Sequence, residues 1–473
     1  MKPALPPSAH KRQQRRRLLQ WGGACATLLS SSAAWSQAVA PAPTTKAEAA
    51  GSTRLALLIG NRDYPGGDDL PPIHKNVADL RVALEQRGFA VSQGLDLDLS
   101  QAREAMSRFA TQVRAAPPEA TVLFYFSGHG AQVDAENLLV SARLSPKARP
   151  DSLIRGSLTL SRDVIGQLPL RPAGLTIAVV DACRTSLRDL VSGDGLNQVE
   201  APPGCLIAFA TGAGKPAIAP ADDTRNTFYT GSLVKMLAAA SDEITFSDLF
   251  RLVKYDVQNV MLNHPVPLLR QFAQYPFIAE NTQVPRRLAQ RPPVSSTEAE
   301  PASPPRFASR NEAQDWSQLE AALWPADVAR LADEYLRNHP TSRLAAGALV
   351  AREGSREAAK ILRRNDVRLF RSAFQPTAES GAAQGGDLAK AGRGDKDAAA
   401  RLARSYGRDS GRWDGGRYEG WLQYAAALGN GIAAYELALH YRRVEQPLQA
   451  AQFEARAREL GYTPPPSLDN TRK

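Results

Sequence analysis

The stretch "GLTIAVVDACRTSLRDL" (residues 174–190) decides the fold. An apolar and β-branched run, Leu175–Val180, stops at Asp181, and two positions later stands Cys183, followed by Arg184 and Thr185. A short apolar run without polar alternation reads as a strand buried on both faces. Similar runs stand on either side: "RLALLIG" (54–60), "FAVSQGL" (89–95), "TVLFYFS" (121–127) and "CLIAFAT" (205–211). Helical spacing lies between them. Val77, Leu80 and Leu84 share one face before Gly88, and Ala105, Phe109 and Val113 share another along 100–116. Two further helices, over 228–239 and 245–262, close this part of the chain. Strands of this kind separated by helices predict an α/β fold, a mostly parallel sheet covered by helices on both faces. Ligands of such sheets gather beyond the carboxyl ends of the strands. "FSGHGAQ" and "DACRTS" fall at two of those ends.

The chemistry there is that of a nucleophile and a base. His129 stands between Gly128 and Gly130, whose lack of a Cβ permits a sharp turn and close approach to a ligand. Cys183 follows 54 residues later at the neighbouring strand end. A thiol of pKa ~8.5 needs a base or a positive environment to become the nucleophilic thiolate at neutral pH. An imidazole from the adjacent strand end could take that proton and return it to a leaving amine. The backbone N–H groups of Gly130 and Cys183 could hold a tetrahedral oxyanion. The alternative is an ordinary buried cysteine beside a surface histidine. The polar neighbours Asp181, Arg184 and Thr185 weigh against it.

"ALLIGNRDY", "FYFSGHGAQ" and "AVVDACRTS", followed by "FATGAGKPA" and "RNTFYTGSLVKML", resemble the caspase-like cysteine peptidases, in particular their bacterial, metacaspase-type branch. The likeness covers about 53–280 and implies a caspase-like fold with His129 and Cys183 as the catalytic dyad. It also implies that Asp181, two places before the cysteine, lines a pocket for a basic P1 side chain; the alternative is that Asp181 only orients the loop. A second acid is expected where the first helix opens, but "KNVADL" puts Val77 there, and Asp79 points about 200° away on a helix. In the family, the connector after the cysteine strand is sometimes cleaved on activation. Arg184 and Arg188 would be the candidate sites here if P1 is basic; the alternative is a plain surface loop. Calcium dependence is known among metacaspase-like relatives, but no compact Asp-rich loop compels it here, and "GGDDL" (66–70) is weak evidence for it. No cofactor is otherwise required. The six histidines never stand at metal-ligand spacing, so no zinc is predicted. "TGAGKPA" lacks phosphate-loop spacing and has Pro216 after Lys215. Cys205 opens its strand where Cys183 closes the previous one. That separates them by about 15 Å, beyond disulfide reach.

The remainder of the 473 residues divides by composition. Residues 1–38 read as an export leader: basic residues without an acid, a weakly apolar run, then Ser-Gln-Ala. "QRRRLLQ" resembles a twin-arginine signal, and the general secretory route stays open. A periplasmic or secreted protein is expected, with no transmembrane anchor once the leader is removed. Six of the ten excess positive charges lie in that leader, so the overall charge makes no case for nucleic-acid binding. After a linker at 39–52 and the peptidase-like region at 53–280, a Pro- and Ser-rich linker is predicted at 281–310 and a small helical unit at 311–371. A Gly- and Ala-rich linker follows at 372–394. In the tail, "AAARLARSY" (398–406) matches "AAYELALHY" (433–441), and "WLQYAAALG" (421–429) matches "FEARARELG" (453–461). Offsets of 35 and 32 residues mark stacked helical units. They resemble Sel1-like repeats over 395–463, which implies a surface for a protein partner.

These readings predict an exported cysteine endopeptidase acting after a basic P1 residue on protein or peptide substrates. The alternative from another class is a catalytically silent caspase-fold scaffold whose repeats bind partner proteins. A third is an amide or thioester hydrolase acting on an envelope component.

Overall fold

A computed structural model describes residues 53–133, 136–182, 198–212, 217–218, 220–288, 307–377 and 381–463, with the backbone of 185–186. The leader and the connector 187–197 lie outside the described residues.

The apolar runs become strands of one six-stranded sheet: β1 (Arg54–Gly60), β2 (Ala90–Leu95), β3 (Thr121–Gly128), β7 (Leu175–Ala182), β9 (Cys205–Phe209) and β10 (Phe277–Asn281). Their order is β10-β9-β7-β3-β1-β2, and only β10 runs antiparallel to its neighbour. Every residue of β1, β3, β7 and β9 is buried, because successive side chains enter opposite apolar layers. On one face Leu57, Phe124 and Ile207 meet Phe109 and Val113 of the helix Leu99–Ala115. On the other face Leu58, Tyr125 and Val179 meet Leu80, Leu233 and Phe250. Those three come from the helices Ile73–Gln86, Phe228–Ala239 and Phe246–Leu262. In chain order we label the helices α1 (Ile73–Gln86), α2 (Leu99–Ala115), α3 (Pro150–Gly156), α4 (Phe228–Ala239), α5 (Phe246–Leu262) and α6 (Pro267–Gln271).

The short strands have no counterpart in the expectations drawn from sequence. A second sheet, in the order β6-β5-β4-β8, holds β4 (Gly130–Val133), β5 (Glu136–Val140), β6 (Ser157–Thr159) and β8 (Thr185–Ser186). Runs of two to five residues are too short to display a period. β10, "FIAEN", is missed for its mixed polarity.

The second half of the chain is helical: α7 (Arg310–Ala321), α8 (Pro325–Asn338), α9 (Ala345–Ile361), α10 (Ala382–Gly392), α11 (Lys396–Ser405), α12 (Gly415–Ala427), α13 (Gly431–Arg443) and α14 (Pro447–Glu459). Where a linker is predicted at 372–394, α10 stands instead, burying Leu388 and Ala391. The pair Gly385–Gly386 reads as a loop, yet the alanines favour helix and a neighbouring core receives them. The predicted linker at 281–310 also begins too early: Asn281 ends β10 and Leu288 is buried under α5. The internally similar segments occupy matching helices, one pair in α11 and α13 and the other in α12 and α14. Their shared glycines, Gly429 and Gly461, take φ of 101° and 79°, the left-handed turn that ends each helix.

Edge strand β10 joins the two halves. The Glu280 backbone N–H donates to Asp397 Oδ2 at 2.9 Å, and its carbonyl accepts from Arg401 at 2.9 Å. The α10–α11 segment thus saturates groups that an open sheet edge would leave free. The buried Glu280 carboxylate meets Arg251 of α5 at 2.9 Å and Lys390 of α10 at 3.5 Å. A second seam is made by Gln198, which donates to the carbonyls of Gly429 (2.8 Å) and Leu460 (2.9 Å) and accepts from the Gly431 N–H (2.8 Å).

Candidate active site

His129 follows the last residue of β3, at the carboxyl edge of the parallel sheet. Its backbone is fixed on both sides. Its N–H donates to the Tyr64 hydroxyl at 3.0 Å, and its carbonyl accepts from Val140 N–H at 3.0 Å. The Tyr64 hydroxyl donates in turn to the Val140 carbonyl at 3.1 Å. The Tyr64 ring stands edge-on to the imidazole, 4.6 Å between centroids.

The imidazole has one strong partner, the Asp68 backbone carbonyl, 2.7 Å from Nε2. A carbonyl oxygen only accepts, so Nε2 carries the proton and the lone pair of the neutral ring is on Nδ1. Burial holds the imidazole below its ordinary pKa, against the Asp68 carbonyl and carboxylate, which favour the charged form, while Lys147 lowers it further. Burial thus favours the neutral ring, which keeps a lone pair able to accept a proton.

Asp68 and Asp69, the acids of "GGDDL", already have partners. The Asp68 carboxylate accepts from Lys147 Nζ at 2.5 Å, and Asp69 Oδ1 accepts the Tyr64 N–H at 2.7 Å. Among the described residues no three His, Cys, Asp or Glu side chains converge as metal ligands.

Asp181 is the penultimate residue of the neighbouring strand β7 but turns inward. Its side chain is 3% exposed, and Oδ2 accepts from the hydroxyls of Thr227 and, at 2.6 Å, Thr230. Burial pushes this carboxyl above the usual range, with the two threonines opposing. Thr227, the N-cap of α4, also accepts from Asn76 Nδ2 at 3.1 Å and donates its N–H to Asn76 Oδ1 at 3.0 Å. Asn76 Nδ2 reaches Ser127 Oγ of β3 at 3.2 Å. A continuous polar network thus ties the ends of β3 and β7 to the starts of α1 and α4. Val77 packs beneath it and is 1% exposed, its Cγ2 lying 2.5 Å from where a Cβ on Gly60 would be. Asp79 faces away and pairs with Lys75 at 2.9 Å.

Gly130 opens β4 and sits opposite Leu139. Cys183, Arg184 and Arg188 lie outside the described residues, as do Lys215 and Pro216. Cys205 opens β9 opposite Thr176, toward the other end of the sheet from Asp181. It is a buried free thiol, pushed up to about 11 by burial.

The sequence places His129 at a strand end but assigns no role to Tyr64, Asn76, Thr227 or Thr230, and marks Asp68 only as part of an acidic loop. Tyr64 and the two threonines lie within segments that carry the family likeness, "ALLIGNRDY" and "RNTFYTGSLVKML". Asp68 acts through its backbone, which no side-chain pattern announces.

A family model described as the caspase domain matches residues 53–294. The structure is also similar to the crystal structure of caspase-1 from Spodoptera frugiperda, with 16% sequence identity and a TM-score of 0.39 over 55% of this chain and 100% of that one. None of the curated proteins matches the sequence.

Proposed function

Because this chain belongs to the caspase-domain family of cysteine peptidases, we propose that it is an endopeptidase whose catalytic pair is His129 and Cys183. The observation that carries this reading is strand register. Gly128 lies opposite Ala182, and Ala131 lies opposite Thr185. β3 and β7 therefore end side by side, and in sequence His129 and Cys183 each follow one residue of the last matched pair. His129 brings a neutral imidazole with its lone pair on Nδ1.

In this mechanism the thiol gives its proton to His129 Nδ1, and the thiolate attacks the scissile carbonyl carbon. The backbone N–H groups of Gly130 and Cys183 hold the oxyanion. Collapse breaks the C–N bond, and His129 protonates the departing amine. Water then adds to the thioester with His129 as base, freeing the acid and the thiol. The Asp68 carbonyl stabilises the transient imidazolium and holds the ring plane.

A basic P1 residue is the preference that Asp181 would confer, provided its carboxyl exchanges the two threonine hydroxyls for a substrate cation. Export through the leader at residues 1–38 and partner binding through the helical second half complete the reading.

The test offers internally quenched peptides with Arg, Lys, Asp, Gln or Leu at P1 to the full chain and to its Cys183→Ala and His129→Ala forms. Cleavage after Arg or Lys that both substitutions abolish is the expected result. Cleavage with another P1 preference retains the peptidase and removes Asp181 from the pocket. Rejection of every peptide, with and without calcium, overturns the endopeptidase in favour of a scaffold. Export is read by cell fractionation: deletion of residues 1–38 leaves the protein in the cytoplasm, and Arg15→Lys with Arg16→Lys separates the twin-arginine route from the general one.

A further inference from the structure

Three elements converge on the carboxylate of Asp96. The residue follows β2, and its N–H extends the β1–β2 ladder by one bond to the Gly60 carbonyl at 2.9 Å. Its φ is 50°, in the left-handed region, where Asp and Asn are the side chains most readily tolerated. The chain turns there, and Oδ1 accepts two successive backbone N–H groups, from Arg62 at 2.7 Å and Asp63 at 3.0 Å. Oδ2 meets His74 Nε2, in the first turn of α1, at 2.7 Å. Burial opposes ionisation, but the His74 bond and the two backbone donors hold the Asp96 carboxyl below its ordinary value.

The segment held in this way is the one that builds the environment of His129. From Asp63 the chain passes directly to Tyr64, which caps the His129 N–H, and then to Asp68, whose carbonyl receives Nε2. Asn61 pins the start of the segment by donating to the Val140 carbonyl at 3.1 Å, and Lys147 reaches the half-buried Asp68. Neither offers an acceptor to the N–H groups of Arg62 and Asp63.

We propose that Asp96 is a positioning residue of the candidate site, its carboxylate fixing the 61–70 segment that delivers the Tyr64 hydroxyl and the Asp68 carbonyl to His129. This rests on the reading of His129 and Cys183 as a pair. His74 locks the second oxygen of the carboxylate, so that three elements, β2, α1 and the segment itself, set the plane of the catalytic imidazole.

The experiment reads the thiol directly and needs no substrate. The rate of Cys183 alkylation by iodoacetamide is measured on the full chain across about pH 5 to 9, where thiolate content governs the rate. The modified cysteine is identified by peptide mass. The groups facing His129 in this range are Asp68, Tyr64 and Lys147, and all are kept. Asp96→Gly accepts the left-handed φ without strain and removes the whole side chain, the carboxylate with it. Asp96→Asn keeps both the conformation and an oxygen for the two backbone donors. His129→Ala sets the profile of an unassisted thiol.

The expected result is that Asp96→Gly moves the profile to that of His129→Ala, slowing near-neutral alkylation by up to about 10²-fold, while Asp96→Asn stays close to the parent chain. An Asp96→Gly chain that melts earlier yet keeps the parental profile overturns the proposal and leaves Asp96 a purely structural residue. A His129→Ala profile identical to the parent overturns the pair itself and the proposal with it. If Asp96→Gly fails to fold, an Asp96→Asn profile that matches His129→Ala overturns the proposal, and one that matches the parent supports it.

Discussion

Tyr64→Phe removes one oxygen from beside His129, and the structure states what that oxygen does. It accepts the His129 N–H at 3.0 Å and donates to the Val140 carbonyl at 3.1 Å. The Val140 carbonyl keeps a partner, because Asn61 Nδ2 also donates to it at 3.1 Å. The His129 N–H does not, and a part-buried donor left without an acceptor costs at most what a buried one does, about 1–3 kcal/mol. The ring remains, and with it the edge-on contact to the imidazole at 4.6 Å, a kind of contact worth about 0.5–1.5 kcal/mol. The damage should thus be local to the β3–β4 turn. Amide hydrogen exchange read by mass spectrometry on peptides spanning 124–141 measures it. Since about 1.4 kcal/mol is a factor of ten, the turn is expected to exchange up to about 5- to 150-fold faster than in the parent chain. Tyr64→Ala also loses the ring contact and leaves a cavity, raising the cost to about 3–5 kcal/mol. Exchange of Tyr64→Phe at the parental rate, or two substitutions that are indistinguishable, refutes this role of the Tyr64 hydroxyl.

The same geometry supports three further tests. Lys147 lowers the His129 pKa and neutralises Asp68, which raises it, so Lys147→Met moves the acid limb of the kcat/KM profile to higher pH; a limb that stays or moves down refutes this. Burial opposes ionisation of Glu280, but Arg251 and Lys390 hold its carboxyl well below its usual 4.5. Its stabilisation is therefore present above about pH 4.5 and lost as pH falls below it. Glu280→Gln should cost about 3 kcal/mol near neutrality and flatten the acid decline of Tm; a variant with the parental decline refutes the pairing. In α9, a Cβ on Gly354 would stand 2.1 Å from the Arg393 carbonyl oxygen, so Gly354→Ala must push α9 off the α10–α11 turn. A loss of about 1–3 kcal/mol in thermal unfolding is expected, with helix content retained.

Much of the scaffold was written locally. Apolar runs such as 54–60 and 121–127 have no polar face to turn to water, so they become strands buried on both sides, and the helices between them follow from spacing. The motif around His129 marked the carboxyl edge because glycine, histidine and glycine after a buried strand have few structural uses. The linker at 372–394 misled because Gly385 and Gly386 outweighed the surrounding alanines until a core was there to bury Leu388 and Ala391.

By itself the sequence determined the α/β class, the strands of the parallel sheet, the edge that carries His129 and the helical second half, since each depends on the period or composition of a continuous stretch. Only the tertiary structure decided how that edge is furnished. The Asp68 carbonyl reaches His129 across 61 positions, Thr227 and Thr230 close over Asp181 from 46 and 49 away, and Asp397 covers Glu280 from 117. Two of those contacts use backbone groups that every residue carries, so identity cannot encode them. The Asp181 contact depends on burial, which turns a carboxylate inward when two hydroxyls are there to receive it and toward solvent when they are not.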